Sequence, residues 1–196
     1  MMERLRQTPS QTVGPFFAYS LTAEQYSYDY NSIVNGSLLS DNAAGERIYI
    51  TGRIFDGKGN IISDALIELW QADADGNYIT QYPTIPVSDI TFKGFGRLGT
   101  GTNTEHRFTF KTIKPGSVNG QAPHINVMLL MRGSLHTLYT RMYFSDEAND
   151  KDLLLNLVDA ARRQTLIARK KEIKGGITYH FDIHMQGEKE TVFFDV

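Results

Sequence analysis

The chain has 196 residues, 41% of them hydrophobic and 21% charged, with a formal net charge of −2 and no cysteine. A domain of this size buries a core without staples; its charge balance excludes a basic nucleic-acid-binding stripe, and the missing cysteines exclude disulfides and thiolate metal sites. The N-terminus has no apolar signal stretch, and no run reaches the roughly 18 apolar residues of a membrane span, so a cytoplasmic protein is expected.

Residues 1–20 predict no regular element. Pro9, Gly14 and Pro15 make Thr8-Pro-Ser-Gln-Thr-Val-Gly-Pro-Phe-Phe17 an extended, turned arm. The arm carries Val13, Phe16, Phe17 and Tyr19, so it must pack on its own domain, on a partner subunit or along a cleft. Residues 22–25 suggest a short helix and residues 40–45 a loop. Strands follow. Ile48, Ile50 and Ile54 alternate with Tyr49, Thr51 and Arg53, and Asp56-Gly-Lys-Gly-Asn60 reads as a hairpin turn. Residues 65–72 form the next strand, closed by Asp73-Ala-Asp-Gly76. Residues 80–104 read as a Gly/Thr-rich loop with a weak strand at 91–93. Residues 107–112, 124–131, 138–144 and 178–185 alternate well, and residues 190–194 could add a terminal strand. One helix is expected over 150–163, with acids at its start and arginines at its end, as the macrodipole favours. The 11 Phe and 10 Tyr, against one Trp, also favour strands. The pattern is that of one mainly-β domain over residues 1–196, an antiparallel sandwich or barrel with one helical excursion.

Residues two apart in a strand share a face, so His124 and Asn126 point the same way. His-x-His at that place could hold a metal with both imidazoles. His-x-Asn does so poorly, because an amide is a weak neutral ligand for transition metals. His124 therefore reads either as part of a metal site that lacks most of its ligands or as a hydrogen-bonded packing residue. His180 and His184 flank Asp182 on one strand face but stand roughly 13 Å apart, too far to share a metal, which suits a solvated or interface face. His106 and His136 lie near loops without a partner in sequence. Asp73-Ala-Asp75-Gly-Asn77 resembles the start of a calcium loop but lacks the downstream glutamate, so a turn is expected. No phosphate-binding loop, nucleophile elbow or dinucleotide fingerprint is present. Arg132 points with Asn126, Met128 and Leu130, while Ile125, Val127, Leu129 and Met131 face the core. An Arg-Gly at such a strand end either presents its guanidinium to a carboxylate or forms a surface ion pair. Arg141, between Tyr139 and Tyr143, is a second candidate.

Seven segments together carry a resemblance. They are Thr8-Pro-Ser-Gln-Thr-x-Gly-Pro15, Leu69-Trp-Gln-Ala-Asp-Ala-x-Gly76, Phe95-Gly-Arg97, Thr112-Ile-Lys-Pro-Gly116, Ala122-Pro-His-Ile-Asn126, Thr140-Arg-x-Tyr-Phe-x-Asp146 and Gln186-Gly-Glu-x-Glu-Thr-Val-Phe-Phe-Asp195. The chain resembles the intradiol ring-cleaving dioxygenases, in particular the α-type chain of those acting on protocatechuate. The resemblance implies a β-sandwich of mixed sheets and a symmetric hetero-oligomer built from homologous α and β subunits. It implies a non-haem Fe(III) held in the partner β subunit by two tyrosines and two histidines. Carried over, the first tyrosine falls at Arg107 or Phe108, the second near Val118, and the histidines at His124 and Asn126. One ligand of four would remain, so the resemblance implies that this chain binds no catalytic iron. It further implies that Thr12, Gly14 and Pro15 form substrate-cavity wall and that Arg132 pairs with the substrate carboxylate, with Val13 as packing. The implied reaction inserts both atoms of O2 into protocatechuate to give 3-carboxy-cis,cis-muconate, a step of aromatic catabolism in the β-ketoadipate pathway. The alternative is a non-catalytic transthyretin-like binding or structural module.

Overall fold

Alternating apolar residues build most of the sheet. The computed structural model describes residues 12, 14–79, 91–173 and 175–195. Its strands are β1 (Arg47–Gly52), β2 (Ile54–Phe55), β3 (Ala65–Gln71), β4 (Phe95–Gly99), β5 (Phe108–Ile113), β6 (His124–Met131), β7 (Leu138–Phe144), β8 (Ile167–Ile173), β9 (Gly176–His180) and β10 (Ile183–His184). Eight of them form one mixed sheet in the order β4-β3-β6-β7-β8-β9-β1-β5, while β10 and β2 pair separately. The parallel join between β7 and β8 consists only of Tyr143↔Ile167 and Phe144↔Ala168. The sheet therefore folds as two halves over one core. Ile48, Ile50 and Phe110 from one half pack in the same cluster as Ile67, Leu69, Ile125, Val127 and Leu129 from the other. This is the mainly-β domain that the strand pattern predicts, with the mixed sheets that the resemblance implies rather than the purely antiparallel ones of the pattern itself.

Two turns meet backbone to backbone at one end. Gly116 N–H donates to the Asp73 carbonyl oxygen at 2.8 Å. Gly76 has φ +84°, and a Cβ there would overlap the Ser117 carbonyl oxygen; one on Gly116 would crowd the Ala74 carbonyl oxygen. The Asp73-x-Asp segment is indeed a turn, since the Asp73 carboxylate accepts from the N–H groups of Asp75 and Asn77 at 3.0 and 2.8 Å.

Several elements differ from expectation. Residues 15–21 form a helix, α1 (Pro15–Leu21), rather than irregular chain; proline suits the first helical position because its missing N–H has no partner there anyway. Tyr19 packs edge-on against Tyr26 at 4.7 Å, while Phe17 is exposed. Residues 1–11, Val13 and the side chains of Pro15 and Phe16 lie outside the described residues, as do residues 80–90. β4 occupies part of the expected Gly/Thr-rich loop, because glycines at 94, 96 and 99 hide its alternation. The 14-residue helix shrinks to α2 (Leu153–Leu157), with Asp152 as its N-cap. Arg163 closes it by donating to the carbonyl oxygens of Val158 and Asn156. A 3-10 helix over Arg163–Leu166 then leads into β8, which has only Ala168 fully buried and so shows no apolar period. Residues 178–185 divide at Phe181-Asp182, and residues 190–194 contribute a single bridge, Phe194↔Tyr139, rather than a strand. Among the described residues, no helix is long and apolar enough to cross a membrane.

An ionic cluster ties the join between the halves. Asp146 Oδ2 accepts from Lys114 Nζ and Lys170 Nζ, each at 3.0 Å, and its Oδ1 from the Tyr179 hydroxyl at 3.0 Å. Burial works against the carboxylate charge, but the hydrogen bonds from Lys114, Lys170 and Tyr179 outweigh it and draw the Asp146 pKa from 3.8 down to about 2. A depressed carboxylate pKa stabilises the fold above the ordinary value, and that gain is lost as pH falls through the folded value. Asp146→Asn should therefore cost roughly 1–3 kcal/mol in urea unfolding at neutral pH. The gap to the parent chain should shrink as pH falls from 3.8 towards about 2. A gap independent of pH would contradict this.

Candidate active-site elements

Two sites stand at opposite ends of β6. At its start, the paired residues His124↔Tyr143 and Asn126↔Arg141 lie across from β7, and Trp70↔Asn126 lies across from β3. His124 is buried, and its Nδ1 lies 2.7 Å from the Ala122 carbonyl oxygen. A carbonyl only accepts, so Nδ1 carries the proton and Nε2 is the acceptor. The Tyr78 hydroxyl donates to that Nε2 at 3.3 Å and accepts from Asn126 Nδ2 at 2.9 Å. Asn126 Oδ1 in turn accepts from Arg141 Nε at 3.2 Å, and Arg141 Nη1 donates to Gln121 Oε1 at 2.7 Å. Asp152 closes the floor, accepting from the Tyr143 hydroxyl at 2.9 Å and from Ala122 N–H at 2.9 Å. Burial lowers the His124 pKa despite the bond to Ala122, and burial raises those of Tyr78 and Tyr143 despite the nearby Arg141. The imidazole and both phenols are thus neutral at pH 7.

The structure brings His124 and Asn126 together on one face, as expected, and reaches Val118 through its bridge to Gln121. Phe108 does not join them. It is buried opposite Gly52 on β1, against Phe110 at 6.0 Å, and Arg107 beside it pairs with Glu105. The aromatic residue that does join is Tyr78, which sequence reasoning missed. It follows the Asp73–Gly76 turn by two residues, and that turn folds it back onto Trp70, ring centroids 4.5 Å apart. The position of the turn was the available signal. His180 and His184 line a separate cleft of about 530 Å³ whose walls mix Arg169, Lys171 and Lys189 with Asp182 and Glu188. Among the described residues, no three His, Asp or Glu side chains converge on a common point.

At the other end, Arg132 follows the last residue of β6, roughly 26 Å along the strand from His124. Thr12 reaches this corner. Its hydroxyl donates to the Met131 carbonyl oxygen at 3.0 Å and accepts from Gly133 N–H at 2.8 Å, so it brackets Arg132. Gly133 turns the chain with φ +89°, which costs glycine little. The Arg132 side chain is 67% exposed, with Nε 3.0 Å from Asp64 Oδ2. Two residues after Thr12, the Gly14 carbonyl oxygen accepts from Phe17 N–H at 3.1 Å in the first turn of α1. Pro15 begins α1. The structure thus sets Thr12 and Arg132 together and assigns Arg141 to the other site.

Residues 33–187 match the family model described as dioxygenase. The chain is 48% identical to the protocatechuate 3,4-dioxygenase alpha chain of Burkholderia cepacia, and the match covers all of both. It is 32% identical to the beta chain of that enzyme from the same organism, over 97% of this chain and 83% of the other. The chain belongs to the intradiol ring-cleaving dioxygenase family. A solved member fold is the dioxygenase domain of a dioxygenase carbohydrate-binding protein fusion from Streptomyces sp. SirexAA-E. It superposes with a TM-score of 0.60 at 20% identity, covering 94% of this chain and 100% of that one.

Intradiol dioxygenases are iron enzymes. The site at the start of β6 does not fit a ferric ion. The one free imidazole lone pair takes the Tyr78 proton, and that phenol is held neutral by burial. The only oxygen that Asn126 could offer already accepts from a guanidinium. A fixed positive charge beside a neutral amide repels a trivalent cation where an anionic ligand would be needed. Arg141→Met would leave Asn126 Oδ1 and Gln121 Oε1 without their donor and should cost about 1–3 kcal/mol in urea unfolding. A variant as stable as the parent would show that the closed network does not support the fold.

Proposed function

We propose that this chain is the iron-free α subunit of a cytoplasmic protocatechuate 3,4-dioxygenase, acting with a homologous β subunit that holds Fe(III). The observation that supports this reading best is the corner at Thr12 and Arg132. A cationic side chain is fixed at its backbone by a residue of the N-terminal arm while its guanidinium stays exposed. An exposed arginine held this way suits a carboxylate arriving from outside the chain.

Protocatechuate carries one carboxylate opposite its catechol oxygens. The carboxylate accepts two parallel N–H bonds from the Arg132 fork, which fixes both the position and the plane of the ring. Thr12, Gly14 and Pro15 form the adjoining cavity wall and keep the ring from sliding along the cleft. Fe(III) held by the partner subunit would take the catechol oxygens and supply the activation toward O2 that carries both oxygen atoms into 3-carboxy-cis,cis-muconate. With the carboxylate clamped, the ring meets the metal in one register, so part of the orientational entropy is lost on binding rather than in the reaction. The 32% identity to a beta chain fits an origin in which two copies of one fold divided the labour.

In the αβ complex, Arg132→Leu should raise KM for protocatechuate about tenfold or more, the loss expected for a charge-assisted hydrogen-bonded pair. KM for catechol, which lacks the carboxylate, should change little. Equal effects on both substrates would remove the clamp. Purified alone and supplied with ferric salt, the chain should show no visible tyrosinate-to-iron absorption band. Such a band would place the metal in the wrong subunit for this account.

A further inference from the structure

Ala65↔Met131 is the last pair of the β3–β6 ladder. The next residues outward, Asp64 and Arg132, are therefore set opposite one another by the register itself. Directly opposed residues of opposite charge attract across a pair of antiparallel strands. Here Asp64 Oδ2 approaches Arg132 Nε at 3.0 Å. The contact is made to the side of the guanidinium, and among the described residues none of the terminal N–H groups of Arg132 donates a hydrogen bond.

A guanidinium has two edges that match a carboxylate: one formed by Nε with one Nη, the other by the two Nη nitrogens. With Asp64 at Nε and the side chain 67% exposed, the edge formed by the two Nη nitrogens can take a second carboxylate. Thr12 fixes the backbone on both sides of the same residue. The arginine is thus constrained at its root and part-way along its side chain, while its tip stays open. A free arginine side chain carries rotamer entropy that a ligand must overcome when it binds.

We infer that Asp64 is a positioning residue: it holds Arg132 by its Nε side so that the terminal Nη pair receives the substrate carboxylate. The inference rests on the clamp reading of Arg132. The opposing possibility is that Asp64 competes with the substrate for the same cation and repels its carboxylate. The two differ in sign. Positioning makes loss of Asp64 weaken binding of the carboxylated substrate, and competition makes that loss strengthen it. Exposed ion pairs contribute little, so the expected effect is a few-fold rather than a hundredfold.

The test uses the assembled αβ enzyme with Asp64→Ala, Asp64→Asn, Arg132→Leu and the double variant Asp64→Ala/Arg132→Leu. Positioning predicts that Asp64→Ala raises KM for protocatechuate about two- to fivefold with kcat nearly unchanged. KM for catechol should stay constant. Asp64→Asn keeps an oxygen facing Nε and should fall between the parent and the alanine variant. In the Arg132→Leu background, Asp64→Ala should have no further effect. If Arg132→Leu raises KM while Asp64→Ala lowers it or leaves it unchanged, the positioning role is overturned and the clamp stands. If Arg132→Leu itself leaves KM unchanged, the clamp and the positioning role fall together.

Discussion

The antiparallel ladder from Ala65↔Met131 to Gln71↔Ile125 joins β3 to β6, and both candidate sites are read off its two ends. Ile67, Leu69, Ile125, Val127 and Leu129 fill the core from this pair of strands, and burial of that face locks the register. A slip by one residue would turn every one of them outward. With the register locked, Trp70 lies opposite Asn126 at one end, and the ladder runs out at Asp64 and Arg132 at the other. The first end is closed by internal hydrogen bonds, and the second is open. That division separates a site saturated within the chain from one that can take a group from outside it.

At the closed end the buried polar groups satisfy one another. A pocket lined by imidazole, phenol and amide groups would leave several buried polar atoms unsatisfied, each costing free energy. Arg141 supplies the missing positive charge. It donates to both Asn126 and Gln121, while His124, protonated at Nδ1, turns its Nε2 lone pair to the Tyr78 hydroxyl. The network is complete without an ion. In the open corner the logic is reversed, because the guanidinium of Arg132 is held but not saturated.

Much of this was legible in the sequence where the cause is local. The alternation of residues 124–131 predicts both the strand and the shared face of His124 and Asn126, because period two is a property of the backbone itself. The arm could be seen to need a surface, although its helix could not, since Pro15 at a helix start looks the same as Pro15 in a turn. The helix over 150–163 failed because its charges serve as caps: Asp152 and Arg163 end a short α2 rather than decorate a long one. β8 was hidden by a nearly polar sequence that pairs through its backbone. Two contact partners were invisible for a different reason. Tyr78 meets His124, and Asp64 meets Arg132, only after strands distant in sequence are set in register.

In the proposed function this chain contributes a carboxylate clamp to a metal centre in another subunit. The most direct measurement is a crystal structure of the αβ complex with protocatechuate bound under anaerobic conditions. The account predicts the substrate carboxylate within about 3 Å of the Arg132 Nη nitrogens. The catechol oxygens should face iron in the partner subunit, with Thr12 against the ring. A carboxylate held by other residues, with Arg132 still engaged only by Asp64, would contradict it.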